Sequence, residues 1–214
     1  QSAWWKYYSY VESYFARLGL LLMHGKPCCD ILVLNPIESV WCQIGVGWAE
    51  GLSPKTDAIK EIETGYAELS YWLFGGHLDF DYGDEEMMGR LSHVTVDENG
   101  RPAIHIGEAA YRVAVVGRHT TIRSSTIRLL DAFREAGGEV IFVGEPPAYV
   151  DGVRSAAAVD LATQSTRIPW DQDQLIARCR NFVQDDVEIV DGKNGARVTD
   201  IVCQLRADGD CKYL

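Results

Sequence analysis

The residues best suited to chemistry are acids set among aromatic rings. Asp79, Asp81, Asp84 and Glu85 lie close together, with Phe80 and Tyr82 between them. Glycoside hydrolysis requires two carboxyl groups flanking the scissile bond. Carboxylates beside aromatic rings also make a surface for sugars, because they accept hydrogen bonds from hydroxyls while a ring packs on the apolar C–H face. A strand end running into an acidic first helical turn accounts for the same residues, since the helix dipole favours negative charge there. Glu38 and Trp41 add an acid and an indole after the first expected strand. Thr120, Thr121, Ser124 and Ser125 form a second group. At a helix N-terminus they could hold an anion, and helix capping explains them equally well.

Other chemistries lack their residues. A dinucleotide site needs GxGxxG after the first strand, and the chain reads NPIESVW after Leu34. No GxxxxGK[ST] loop, GxSxG or GxCxG occurs, so neither a phosphate-binding loop nor a nucleophile elbow is expected. His24, His77, His93, His105 and His119 are scattered, without HExxH or HxH spacing. No metal and no cofactor are expected.

The elements that must position these residues centre on Tyr111 to Gly152, YRVAVVGRHTTIRSSTIRLLDAFREAGGEVIFVGEPPAYVDG. Arg112 to Val116 is an apolar, β-branched run, as expected of a strand covered on both faces. Ser124 or Ser125 caps the next helix, Ile127, Leu129, Leu130 and Phe133 form its buried stripe, and Gly137-Gly138 ends it. Val140 to Val143 is the following strand. Two parallel strands joined by a covering helix form a crossover unit. Ligands of such sheets meet the loops at the strand carboxyl ends, here Gly117–Ile122 and Gly144–Gly152. The expected fold is therefore α/β, a doubly wound, mostly parallel sheet with Asp30–Leu34, Val113–Val116 and Val140–Val143 among its central strands.

Around this unit, Tyr7, Tyr8, Val11, Tyr14, Phe15, Leu18, Leu21 and Leu22 predict an amphipathic N-terminal helix. Its aromatic face serves core packing or docks on a neighbouring domain. Asn35 to Pro54 reads as a long loop carrying Glu38, Trp41, Trp48 and Glu50, followed by a helix over 55–74. A short strand through Phe80 precedes a helix at Asp84–Leu91, and Asp97 to Gly100 turns an inserted β-hairpin. Helices are expected at Ala156–Leu161 and Asp171–Arg180, and strands at Val187–Val190 and Ile201–Leu205. Three segments follow: a helical 1–29, an α/β domain over 30–190 and a strand segment over 191–214. The aromatic start at Gln1 to Trp5 and the turn at Asp208 to Asp210 predict a piece of a longer polypeptide.

The net charge of −11 disfavours nucleic acid and anionic membrane surfaces as partners. The six cysteines form no CxxC pair, which favours thiols and a reducing, cytoplasmic compartment. No run is long enough to span a bilayer.

Several stretches together resemble a family. WWKYYSYVESYFARLGLLLMHGKPCCDILVLNPIESVW, HLDFDYGDEEMM and the segment from Ile104 through Gly152 resemble large bacterial glycoside hydrolases of the α-L-rhamnosidase type (family 106) and their relatives. The corresponding region there follows the catalytic (β/α)8 barrel and is similar to the β-galactosidase trimerisation domain. The resemblance implies a flavodoxin-like or class I amidotransferase-like fold without amidotransferase chemistry, and catalytic residues outside this chain. It further implies the barrel of the parent chain as partner, with a homo-oligomer as a second possibility.

The expected function is thus a non-catalytic accessory or interface domain of a carbohydrate-active hydrolase. The alternative is a free-standing flavodoxin-like small-molecule binding module with its ligand near Thr120 to Ser125. An active enzyme would need a nucleophile–His pair that the sequence does not supply. On the accessory reading, Glu38, Trp41, Asp79, Asp81 and Asp84 gather at one sheet edge, where carbohydrate is shared with the barrel.

Overall fold

The computed structural model describes residues 3–47, 56–183 and 187–213. Trp48, Glu50 and Lys55 lie outside the described residues. The chain divides into two units, one of Cys29–Val202 and one combining Gln1–Cys28 with Cys203–Leu214.

In the smaller unit, a 3-10 turn (Trp5–Tyr7) leads into α1 (Tyr8–Met23) and a short strand β1 (Lys26–Pro27). β1 pairs antiparallel with β13 (Arg206–Asp208), which pairs in turn with β14 (Cys211–Tyr213). α1 has no buried residue, and Tyr10, Tyr14 and Phe15 are all more than half exposed. The expected core packing of this helix is therefore not found. Three strands of two or three residues offer too little apolar surface to cover sixteen helical residues.

The larger unit is built on a five-stranded parallel sheet of β2 (Ile31–Leu34), β3 (Phe80–Gly83), β7 (Val113–Val116), β9 (Glu139–Val143) and β12 (Thr166–Ile168). Their order across the sheet is β3-β2-β7-β9-β12. Every residue of β2, β7 and β9 is buried, as their apolar runs require, and Glu139 at the start of β9 is paired with Arg178. Alternate side chains feed two cores. Leu32, Leu34, Ala114, Val116 and Phe142 pack with α5 (Ser124–Glu135) and α6 (Ala157–Thr163) through Leu130, Phe133 and Leu161. Ile31, Val33, Val113, Val115 and Ile141 pack with α3 (Asp57–Gly75) and α7 (Gln172–Arg180) through Leu69, Leu73, Leu175 and Ile176. Helices on both faces make the sheet doubly wound, and the three expected central strands share it.

Other elements refine the expected ones. α2 (Ile37–Trp41) replaces the start of the expected long loop. α4 (Glu85–Leu91) starts after Asp84, whose carboxylate accepts the Met87 amide at 2.8 Å. The hairpin of β4 (Ser92–Val96) and β5 (Pro102–Ile106) gains a third strand, β6 (Ala109–Tyr111), and Ile104 and Tyr111 carry it onto the first core. Beyond the carboxyl edge, β8 (Thr121–Ile122) pairs parallel with β10 (Tyr149–Val150). β10 turns through Asp151-Gly152 into β11 (Val153–Arg154). Asp151 and Gly152 both have positive φ, at 50° and 73°, as a tight two-residue hairpin demands.

Two expectations fail. Ser124 and Ser125 do not cap α5: Arg123 is its N-cap residue and makes no side-chain capping bond, because carboxylates from other elements serve the first amides. Val187–Val190 and Ile201–Leu205 are not strands. The first makes a single bridge, Val190 to Arg197, and the regular pairing near the second begins only at Arg206. His77, in left-handed backbone at φ 56°, accepts the Ile189 amide at 3.3 Å and bonds Val198 O at 2.8 Å, which ties the former segment to the residues after its bridge.

The cores predict a sharp contrast in stability. Phe133 has no exposed surface, so Phe133→Ala should cost about 3–5 kcal/mol in urea unfolding. Tyr10 is 74% exposed, and Tyr10→Ala should change stability by no more than about 0.5 kcal/mol.

Candidate functional site

The parallel register fixes where each candidate lies. Leu34 pairs with Gly83 at the carboxyl ends of β2 and β3, and Ile31 pairs with Phe80 at their amino ends. Glu38, Trp41 and Asp84 therefore follow the carboxyl ends, together with Thr120, Thr121, Ser124 and Ser125 beyond β7. Asp79 precedes Phe80 and falls at the opposite edge. Asp81 lies within β3 opposite Leu32, and its carboxylate accepts the Tyr111 hydroxyl at 2.9 Å. That bond, with burial as the larger cause, raises the Tyr111 pKa. The expected five-residue edge is thus split. A strand of four residues is long enough to part Asp79 from Asp84.

A cleft of about 380 Å³ opens at the carboxyl edge, lined by Glu38, Trp41, Cys42, Thr121, Ile122, Arg123, Asp151 and Gly152. It lies between the loops that follow β2 and β7, where the strand order reverses. Open α/β sheets bind ligands at such a switch point. The Trp41 indole is 56% exposed and forms part of the wall. Cys42 contributes an exposed thiol.

Polar bonds hold the cleft from beneath. Ser39 has no exposed surface; its hydroxyl accepts the amides of Thr120 and Thr121 at 2.9 and 3.1 Å and donates to Thr121 O at 3.0 Å. The Thr121 hydroxyl in turn accepts the Gly152 amide at 3.1 Å. Arg123 Nε donates to Glu38 Oε1 at 2.7 Å. At the start of α5, Glu85 Oε2 accepts the Arg123 amide at 2.7 Å and Asp151 Oδ1 accepts the Ser124 amide at 3.0 Å. The bond from Ser124 holds the Asp151 carboxyl below its usual range.

Two buried groups here are electrostatically perturbed. Burial pushes the Glu85 carboxyl up to about 7, Glu38 adds to the rise, and the Thr126 hydroxyl, the Arg123 amide and the Arg123 charge oppose it. Glu85 Oε1 and Thr126 Oγ1 are both buried without a hydrogen-bond partner. His119, at the end of the β7 loop, is lowered to about 4 by burial, against the carbonyls of Gly117 and Asn35. Its Nδ1 lies 3.2 Å from Gly117 O, the geometry of a neutral ring donating there.

Ser39, Arg123 and Asp151 are absent from the candidates expected on this edge, and Glu85, expected among the acids, serves as a buried acceptor for a backbone amide. Asp151-Gly152 is a strong hairpin signal, and Glu85 stands three residues before buried Met88 on the same helical face. Ser39 has no comparable signal. Among the described residues, no group of three or more His, Cys, Asp or Glu is placed to hold a metal, and no helix is long and apolar enough to cross a membrane. Compared with known protein families, curated proteins and solved structures, the chain matches none.

The two perturbed groups predict opposite pH dependences. A carboxyl with a raised folded pKa gives stability that is complete below about 4.5 and lost as pH rises through about 7. A lowered imidazole gives stability present above 6.5 and lost as pH falls through about 4. The unfolding free energy of Glu85→Gln relative to wild type should therefore climb between pH 4.5 and 7. That of His119→Asn should decline between pH 4 and 6.5. Urea titrations across this range check both slopes.

Proposed function

We propose that the larger unit is a flavodoxin-like, non-catalytic accessory domain of a carbohydrate-active glycoside hydrolase, and that its carboxyl-edge cleft contacts sugar. The fold assignment is supported by the strand order, second-first-third-fourth-fifth along the chain, which is the flavodoxin-like order. The observation that carries the functional reading is the cleft itself: an exposed indole beside carboxylates, at the switch point. An indole packs on the C–H face of a pyranose and carboxylates accept its hydroxyls.

The same geometry argues against glycosidic chemistry within this chain. Hydrolysis needs two carboxyl groups on either side of a bond. Glu38 is tied to Arg123, Asp81 to Tyr111, and Glu85 has no exposed surface. We further propose that the exposed aromatic face of α1, in the smaller unit, docks on the barrel of a parent enzyme or on another subunit.

Aryl galactosides and aryl rhamnosides should not be turned over by the chain. D-Galactose or L-rhamnose should perturb its tryptophan fluorescence, and Trp41→Ala should remove that response while the far-UV spectrum stays unchanged. Turnover lost in Glu38→Gln would contradict the non-catalytic reading, and a response that survives Trp41→Ala would contradict the site.

A further inference from the structure

The hydrogen-bonding groups around the cleft define the charge of the ligand it can accept. Sites for anions in α/β sheets use free backbone amides at a helix N-terminus, often with a cationic side chain. Here the chain uses several of those donors itself. The amides of Thr120 and Thr121 go to Ser39, that of Arg123 to Glu85, that of Ser124 to Asp151 and that of Gly152 to Thr121. The Arg123 guanidinium, the one cation among the described lining residues, is bound through Nε by Glu38.

Three of these internal acceptors are carboxyl groups, from α2, α4 and the β10–β11 turn. Glu38 and Asp151 line the cleft directly and outnumber its single Arg123. Arg128, exposed on α5, is near enough to favour the Asp151 charge but does not line the cleft. At the Arg123 or Ser124 amide an entering anion would have to displace the carboxyl group already bound there, in the field of the others. An uncharged ring needs neither step, since it brings its own hydroxyl donors and an apolar face for Trp41.

Resting on the carbohydrate reading above, we infer that the cleft takes an uncharged, polyhydroxylated ring and rejects the same ring bearing a carboxylate or a phosphate. Glu38, Glu85 and Asp151 are then specificity-determining residues that fill the anion-receptive positions from within.

D-Galactose and D-galacturonate test this, because they share a ring and differ at one carbon, hydroxymethyl against carboxylate. Both are titrated at pH 7 into the wild-type chain, Asp151→Asn and Glu38→Gln, with the tryptophan response and its loss in Trp41→Ala as readout. Each substitution keeps an oxygen acceptor for its present donor and removes one charge. D-Galacturonate should bind the wild type about tenfold more weakly or worse, equivalent to ~1.4 kcal/mol, and the gap should narrow in both variants. Equal binding of the two sugars to the wild type would overturn the inference and leave the carbohydrate reading standing. So would a gap that neither variant changes. Binding of neither sugar would overturn both.

Discussion

The amide of Arg123 donates to Glu85, a carboxyl group with no exposed surface, and the carboxyl edge is organised about that bond. It joins the start of α4 to the start of α5, and so fixes where the chain leaves β8. From there the edge closes in a short circuit. Asp151 takes the next amide, Thr121 holds the Asp151-Gly152 turn, and Ser39 holds Thr121 from α2. Burying a carboxyl without full compensation is costly. That cost explains why burial is the largest cause of the raised Glu85 pKa.

This arrangement changes what a parallel sheet offers at its switch point. The positive end of a helix dipole favours negative charge, and α5 receives that charge from its own chain. The cleft above is left with an indole, the Cys42 thiol, an internally paired arginine and carboxylates. Catalysis by these groups would require a carboxyl free to move a proton at an exposed position. Glu85 and Asp151 instead hold backbone amides and Glu38 holds the Arg123 guanidinium, which supports the proposal of a site for contact.

Much of the framework was legible in the sequence. Ile31–Leu34, Val113–Val116 and 140–143 announce buried strands by unbroken β-branched and apolar residues, and the stripes of α3 and α5 follow from three- and four-residue steps. β12 was not legible, because Thr166-Arg167-Ile168 is a short edge strand with an exposed arginine. Glu38 and Trp41 were legible as an acid and an indole after the first strand. The acids that serve α5 were not, because Glu85 and Asp151 stand 38 and 27 residues from the amides they accept. Such pairs come from tertiary structure, and helix-capping patterns see only neighbouring residues. Asp79 and Asp84 look equivalent in the sequence; only the direction and length of β3 send them to opposite edges.

The account stands most directly on the position of ligand contact. A two-dimensional amide and indole NMR titration of the chain with D-galactose reads that position residue by residue. The account predicts shifts at the Trp41 indole and at the amides of Ile122, Arg123 and Gly152. The Trp170 indole, which donates to Glu68 at 2.9 Å away from the cleft lining, should stay unmoved. Shifts confined to α1, or an unchanged Trp41 indole at saturating sugar, would contradict it.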